Sequence, residues 1–469
     1  MIKVKEIIAA TGGNLFRGEG DAEIKNFSLD SRTLISGDVF IPVKGTRVDG
    51  HRFIEEAVSC GARGIVAERS YSLPAVLPEI VIQVEDTIKA LGRIAAGLRT
   101  RFSGPVIAVT GTTGKTTSKE IIAAVLGKQF QVLKNRGTLN NHIGVPLTLL
   151  GLDRRYDLAV VEMGMNAPGE IKYLSQIIQP DVGVITNIGP AHLEKLYSVK
   201  EVCQAKAELL EVMGEKGLVI LNRDDKYFDY LQEKTHCRQI TIGRDARADF
   251  QAVDIAFYQD EGIRFKLLAK PFHDILEIRL PIIGLHNIYP ALLAAVVAYG
   301  LELKPELIVS GLEEITTPPM RLELKEISGI KVLDDCYNAN PLSMKSALET
   351  LSLFKSEGRK IFVCGDMLEL GLGAAEYHRK LGRQVAGGVI NYLVTIGQLA
   401  RLVSDTAREE GVPAQNIWHC EDKIAAVSVL SKLLEPGDIV LVKGSRANRM
   451  EEITRGIEEY YQTLERLIV

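Results

Sequence analysis

The stretch from Val106 to Leu126, V-I-A-V-T-G-T-T-G-K-T-T-S-K-E-I-I-A-A-V-L, restricts the possible folds more than any other part of this chain. The apolar run containing Val106, Ile107 and Val109 predicts a buried strand, and Ile121, Ile122, Val125 and Leu126 recur at helical spacing before Gly127. Between them lies Gly111-Thr112-Thr113-Gly114-Lys115-Thr116-Thr117. Glycines at such a turn let backbone N–H groups point inward at a helix N-terminus, where unpaired donors and the helix dipole favour an anion. Lys115 can then reach β- and γ-phosphates, and the Thr116 hydroxyl can bind Mg2+. The general phosphate-loop pattern has another glycine where this chain has Val109, so the loop here is G-x-x-G-K-T-T with its glycine at 111. An ordinary Gly- and Thr-rich turn is the alternative, but Gly-Lys-Thr at a strand-to-helix junction favours a nucleotide.

A strand and helix joined in this way belong to an α/β fold, and 469 residues are too many for one core. Domains of ~100 to 200 residues imply about three. The chain carries a net charge of -4 without a run of like charges, so no electrostatic footprint for nucleic acid is visible and small-molecule partners are expected. Its six cysteines form no C-x-x-C pair, which fits reduced thiols in a cytoplasm. The N-terminus lacks a long apolar segment, and the best apolar run, Ala291 to Ala298, is too short to span a bilayer. A soluble, cytoplasmic monomer is expected, with no membrane partner.

Residues 1–84 alternate short strands and helical turns, with strands at Val39–Val43, Gly64–Ala67 and Ile80–Val84 and a helix near Phe53 to Cys60. Two loops of this small α/β unit stand out: Asp30-Ser31-Arg32, and Lys44-Gly45 followed by Asp49-Gly50-His51. Each alone is ordinary turn chemistry. Together they offer a hydroxyl, a guanidinium and flexible backbone, as a diphosphate ligand needs.

Residues 85–317 begin with a helix, Thr87 to Arg101, and contain the phosphate loop. Asp157-Leu-Ala-Val-Val-Glu162 places a carboxylate at the C-terminal end of a buried strand, where open α/β sheets bind ligands. Glu162 either caps the following turn or binds Mg2+. A third strand, Val182 to Thr186, leads to His192, which is a surface residue or, if the strands are parallel, a group entering the same crevice. Ser198-Val-Lys-Glu201 reads as a capping box for a helix whose apolar positions include Val202, Cys203, Leu209 and Leu210. Lys206 lies on that apolar face, so its ammonium either reaches back to water or is buried with a lowered pKa. A neutral buried amine can take up CO2 as a carbamate, an anionic oxygen ligand. Asn287 in Gly284-Leu-His-Asn either caps the apolar helix that follows or pairs with an adenine edge.

Residues 318–469 alternate strands at Ile330–Leu333, Lys360–Cys364, Tyr392–Ile396 and Ile439–Val442 with helices from about Ser343 and near Ala375 to Ala386. That is the rhythm of a doubly wound parallel sheet. Polar residues after the strands (Asp335 to Asn340, Asp366, Lys443 to Arg446) put a ligand site at its carboxyl edge. No G-x-G-x-x-G follows its first strand, so a dinucleotide is disfavoured.

G-T-T-G-K-T-T, V-V-E-M-G, G-P-A-H-L-E, A-K-A-E and G-L-H-N, in this order and spacing, resemble the Mur ligase superfamily, which also includes folylpolyglutamate synthase. The resemblance covers nearly the entire chain. Within the superfamily, Gly137 to Pro146, Met163 to Glu170, Asp334 to Pro341, Gly365 to Gly371 and Val442 to Arg446 are similar to the branch that adds D-alanyl-D-alanine to UDP-N-acetylmuramoyl-tripeptide. One departure is Pro290, where the family often has a second asparagine after the one matching Asn287.

The resemblance implies three domains: a UDP-substrate-binding domain over 1–84, a central ATP-binding phosphate-loop domain with a parallel sheet over 85–317, and a Rossmann-like ligase domain over 318–469. It implies that Lys115 and the loop Gly111 to Thr117 hold ATP, with Thr116, Glu162, His192 and a carbamylated Lys206 at the magnesium sites. Asn287, Arg321, Asp335 and Asn338 would contact the nucleotide. Ser31, Arg32, Gly45, Asp49, Gly50 and His51 would lie near the UDP end of the substrate, and Asn140 and Asn141 near its muramoyl-peptide part. Lys443, Ser445 and Arg446 would help the third domain complete the site. The implied reaction is ATP-dependent amide formation through an acyl phosphate. A ligase adding one amino acid, a folate ligase and an ATP-driven switch are the competing readings.

Overall fold

The computed structural model describes residues 1–45, 48–258, 261–355 and 358–468. Its largest sheet has nine strands, ordered Asp274–Leu280, Gly262–Ala269, Phe250–Tyr258, Arg238–Gly243, Leu218–Asn222, Val182–Ile185, Val106–Thr110, Leu158–Glu162 and Val132–Lys134. Pairing is parallel from Val132–Lys134 to Phe250–Tyr258, and the last two strands add an antiparallel meander. The strand before the phosphate loop lies between those ending at Glu162 and Ile185, and all three run the same way, so their carboxyl ends meet at one edge.

Both faces of this sheet are covered, which is why its central strands are continuously apolar rather than alternating. Ile107 and Val109 pack with the helices Lys115–Leu126 and Ile288–Gly300, while Val106 and Ala108 face the core shared by Glu170–Ile178 and Val199–Val212. The run Ala291 to Ala298 lies within the buried helix Ile288–Gly300. Among the described residues no helix is long and apolar enough to cross a membrane. Ser198 does cap its helix by accepting from the Glu201 N–H, but the reciprocal half of the expected box is missing: the Ser198 N–H donates to the Leu196 carbonyl instead.

The N-terminal region carries a five-stranded sheet ordered Asn14–Arg17, Ile80–Val84, Gly64–Glu68, Val39–Phe40 and Phe27–Ser28. The strand expected over Val39–Val43 stops at Phe40, because Pro42 has no N–H for a ladder and the Val43 carbonyl turns to accept from Gly50. The helix Thr87–Arg99 is two-sided: Leu91 and Ile94 join the N-terminal core and Ala95 the central one. Its last residue, Arg99, is buried and donates to the Ile178 and Gln179 carbonyls and to Asp181; the helix stops short of the expected Arg101 as the Arg101 and Phe102 N–H groups turn to the Leu98 and Arg99 carbonyls.

The C-terminal sheet has six strands, ordered Glu323–Ile327, Ile330–Asp335, Ile439–Lys443, Lys360–Gly365, Tyr392–Ile396 and Ile417–Cys420. Only the first is antiparallel. It and Ile417–Cys420 were not anticipated, one being half polar and the other only four residues long. The helix expected from about Ser343 starts at Pro341, where Asn340 caps it by accepting from the Ser343 N–H. Because the last strand inserts between the first two parallel ones, the connections diverge and leave a crevice at the carboxyl edge. That crevice faces the phosphate loop across a tight seam: a Cβ at Gly189 would lie 2.0 Å from Leu342 Cδ1.

Gly111 holds φ near +146°, and a Cβ there would sit 1.9 Å from the Thr186 hydroxyl. Gly111→Ala is therefore expected to destabilise the chain by about 1–3 kcal/mol through strain and displacement of the Thr186 strand end. Urea unfolding checks this, and an unchanged midpoint would contradict it.

Candidate active site

Carboxyl ends of the central sheet, the start of the helix Ile288–Gly300 and the edge of the C-terminal sheet enclose one cavity of about 630 Å³. On one wall Thr112 to Ser118 turn from strand into helix, with Gly114 in the left-handed region at the N-cap. The first half of this loop is clamped from the neighbouring strand. Asn187 Oδ1 accepts from both the N–H and the hydroxyl of Thr113, the Thr186 hydroxyl donates to the Thr113 carbonyl, and the Thr112 hydroxyl accepts from the Gly189 N–H. The Lys115 ammonium donates to the carbonyls of Gly111 and Thr112 at 3.0 and 3.1 Å. Burial and the nearby Arg321 push its pKa down, while Glu162 opposes the shift.

Glu162 is buried at its strand end, 1% exposed, and accepts from Asn140 Nδ2 at 2.7 Å through Oε1. Its other oxygen, Oε2, has no partner among the described residues. A buried, unpartnered carboxylate oxygen beside a phosphate loop fits a hard cation. Thr116 is bonded through its hydroxyl by Arg321 Nη2 at 3.0 Å, across the seam. His192 faces the same cavity but is paired through Nδ1 with Glu369 at 2.6 Å, which holds that carboxyl below its usual range. Among the described residues no three His, Cys, Asp or Glu side chains converge as a metal cage. Lys206 is buried, 2% exposed, but lies behind the cavity lining. Desolvation, then the charge of Lys115, lowers its pKa well below that of a free lysine.

From the C-terminal side Asp335, Asn338 and Lys443 line the cavity. Lys443 Nζ pairs with Asp335 at 2.7 Å and donates to the Asn338 carbonyl at 2.9 Å, so it braces this edge. Burial raises the Asp335 pKa, with Lys443 pulling against it. Asn287 does not cap its helix; its amide donates to the Ile283 carbonyl at 2.7 Å. Asn141 accepts from the N–H groups of Ile143 and Gly144.

The remaining expected residues lie outside the lining. The Ser445 hydroxyl accepts from the Leu368 N–H, and Arg446 pairs with Glu451. In the N-terminal region Ser31 donates to Glu56, Arg32 forms a two-pronged pair with Asp30, and the Gly45 N–H donates to the Val48 carbonyl. Arg32 holds the Asp30 carboxyl down at about 2. His51 is buried, with Nδ1 on Asp49 at 2.7 Å and Nε2 accepting from the Glu68 N–H, while Gly50 packs against Val43.

Three family matches cover these regions in order: Mur ligase family, catalytic domain, over residues 23–99; Mur ligase middle domain, over 109–298; and Mur ligase, glutamate ligase domain, over 320–446. A Bacillus subtilis protein named UDP-N-acetylmuramoyl-tripeptide--D-alanyl-D-alanine ligase is 36% identical, across 98% of this chain and 99% of its own. The chain belongs to the Mur ligase family. An Escherichia coli ligase of the same name is 33% identical over 94% of this chain and 95% of its own. The crystal structure of MurF from Acinetobacter baumannii superposes with a TM-score of 0.89 at 32% identity, covering 97% of this chain and 98% of that one. MurF ligase from Thermotoga maritima in complex with ADP gives 0.81 at 28% identity, covering 94% and 98%.

Several residues of this Mur ligase that shape the site were not anticipated. Asn187 and Asp225 follow strands as Thr-Asn and Asn-Arg-Asp-Asp, a signal of polar residues at carboxyl ends; Asp225 accepts from the Ile188 N–H and fixes the turn that carries His192. Lys119 gave no signal, because a lysine inside a helix reads as surface. It is buried and donates to the Asn135 and Gly137 carbonyls.

His286 lines the cavity with its Nδ1 buried and unpartnered, and burial, followed by the charge of Lys443, pushes its pKa down to about 4. Free imidazole titrates at about 6.5, so between these values the unfolded chain holds a proton that the folded chain refuses. This group's contribution to stability therefore falls as the pH drops from about 6.5 to 4. Urea midpoints measured across that window should fall less steeply for His286→Gln, and identical slopes would contradict the assignment.

Proposed function

We propose that this chain joins D-alanyl-D-alanine to the terminal carboxylate of UDP-N-acetylmuramoyl-tripeptide, with ATP converted to ADP and phosphate, giving the UDP-linked pentapeptide. The observation that carries this reading is the single cavity in which the phosphate loop, Glu162 with Asn140, and the C-terminal Arg321, Asp335 and Lys443 meet. The curated relatives of B. subtilis and E. coli bear the name of that reaction over nearly their whole length, which supports it.

In this reading the free N–H groups of Gly114 to Thr117, Lys115 and Arg321 hold the triphosphate, and Asn287, Asp335 and Asn338 border the nucleoside. Thr116, Glu162 and His192 would hold Mg2+, which would neutralise triphosphate charge. The tripeptide carboxylate attacks the γ-phosphorus, the bond to the β-phosphate oxygen breaks, and ADP leaves. The dipeptide amine then attacks the acyl carbon, loses a proton and expels phosphate. Two anions must meet in the first step, so cations set in place beforehand supply much of the rate gain. Asn140 and Asn141 border the peptide end. The region over 1–84, with Ser31, Arg32, Gly45, Asp49, Gly50 and His51, takes the UDP end; Lys443 braces the cavity edge of the third region over 318–469, opposite the central one over 85–317, through Asp335 and the Asn338 carbonyl, and Ser445 and Arg446 stand beside it. Burial lowers the Lys206 pKa, which favours the neutral amine that would react with CO2: a C–N bond would form, a proton would depart, and the carbamate would supply an anionic oxygen ligand for Mg2+.

Lys115→Ala and Glu162→Ala are expected to remain folded and to lose roughly a hundredfold or more in turnover, the scale of one preorganised charge contact. Near-normal rates in either would remove it from the site. Lys206→Ala should lose activity that millimolar formate or acetate partly restores, whereas full activity in Lys206→Arg would rule out the carbamate. The reaction itself is tested by phosphate release from ATP with the UDP-tripeptide, with and without D-alanyl-D-alanine, and by product mass. Release that requires the dipeptide and yields the pentapeptide mass supports the ligase; release indifferent to both acceptors returns the chain to an ATP-driven switch.

A further inference from the structure

Arg321 crosses the seam between the C-terminal region and the phosphate loop, and its side chain is held at two places. Its Nη2 donates to the Thr116 hydroxyl at 3.0 Å, and its guanidinium carbon lies 4.1 Å from the centre of the Tyr337 ring. The backbone beneath it is unusual. Met320 and Leu322, on either side, both have φ in the left-handed region, at +58° and +54°, where non-glycine residues are strained. This short segment follows Pro318-Pro319 and is pinned by the Glu323 carboxylate, which accepts from the Met320 N–H. The Tyr337 N–H donates to the Met320 carbonyl at 3.1 Å, so the residue that supplies the ring also fixes the backbone that presents the guanidinium.

An unrestrained arginine samples many rotamers, and a strained presenting backbone persists only where surrounding contacts over-determine it. The ring face attracts the cation and leaves the edges of the guanidinium, with their N–H donors, free for an anion. Tyr337 lines the cavity and meets the Arg321 guanidinium with its ring face, a contact through which it would act on the nucleotide.

We propose that Tyr337 is a positioning residue that, with the left-handed backbone at Met320 and Leu322, aims Arg321 at the phosphate loop before nucleotide binds. This rests on the reading of the cavity as an ATP site. The third region then brings a pre-set cation to the triphosphate.

The test is calorimetric binding of the non-hydrolysable analogue β,γ-methylene-ATP to the full chain carrying Arg321→Ala, Tyr337→Leu, Tyr337→Phe or Arg321→Ala with Tyr337→Leu. Tyr337→Leu should bind about three- to tenfold more weakly, the scale of a partly desolvated cation–π contact, and should raise the KM for ATP. Tyr337→Phe keeps the ring face and should restore binding to within about twofold of the parent. In the Arg321→Ala background Tyr337→Leu should cost nothing further, a coupling that a merely structural tyrosine would not show. If Tyr337→Leu does not fold, Tyr337→Met carries the same comparisons. Equal binding by the parent and Tyr337→Leu, or the same loss with and without Arg321, overturns the positioning role while leaving the ATP site intact. Parent-like binding by Arg321→Ala overturns the assignment of Arg321 to the nucleotide, and the positioning role with it.

Discussion

Gly111 and the Thr186 hydroxyl share a space that no other residue at 111 would leave open, since a Cβ would stand 1.9 Å from that oxygen. This approach brings the turn after the strand Val106–Thr110 against the end of the adjacent parallel strand, and it lets Thr186 and Asn187 satisfy the polar groups of Thr112 and Thr113. The first half of the loop is thus shaped by the sheet. The second half, from Gly114 to Thr117, opens the helix Lys115–Leu126, where N–H groups remain unpaired and favour an anion. Rigidity on one side and free donors on the other are what an anion site needs, and Glu162 takes its position from the neighbouring strand end of the same sheet.

The seam between the central and C-terminal sheets is the second constraint. Small residues let it close: Gly189 lies under Leu342, and Gly371, at φ +56°, lies against the Leu193 backbone. Charged groups then bridge it at its rim and interior, through His192 with Glu369 and Arg321 with Thr116. Packing of Phe257 against Phe354, with ring centres 5.2 Å apart, adds an apolar contact from the antiparallel meander. Neither sheet alone has a closed pocket at its carboxyl edge. The cavity exists because two such edges face each other, and that arrangement suits a reaction whose acyl phosphate must be kept from water.

Much of this was legible in the chain because the signals are local. Apolar runs ending in Thr, Glu or Asp mark parallel strands with functional carboxyl ends, and Gly111 to Thr117, Glu162, Asn140 and Asp335 do line or border one cavity. At other positions the fold adds contacts that no local pattern shows. His51, read in the sequence as part of a turn near the UDP end, is buried and bridges Asp49 and the Glu68 N–H. Asn287 resembles a helix cap, yet its amide turns back to Ile283. Lys119 and Lys443 carry charges that suggest solvent or ligand, while the fold buries both and gives them backbone carbonyls and a carboxylate.

Taken by itself, the order of residues determined the α/β class, the phosphate loop, the buried face that carries Lys206 and the motifs that mark the Mur ligase family, since all of these depend on neighbours within a few turns or one strand. Tertiary structure decided which polar groups are spent on the protein and which remain free. Glu162 keeps one oxygen without a partner among the described residues, Asn140 bonding only the other, and Arg321 meets Thr116, 205 residues away in the chain, because the two sheets close on each other. Such outcomes depend on distances between elements remote in sequence, and no local pattern encodes them.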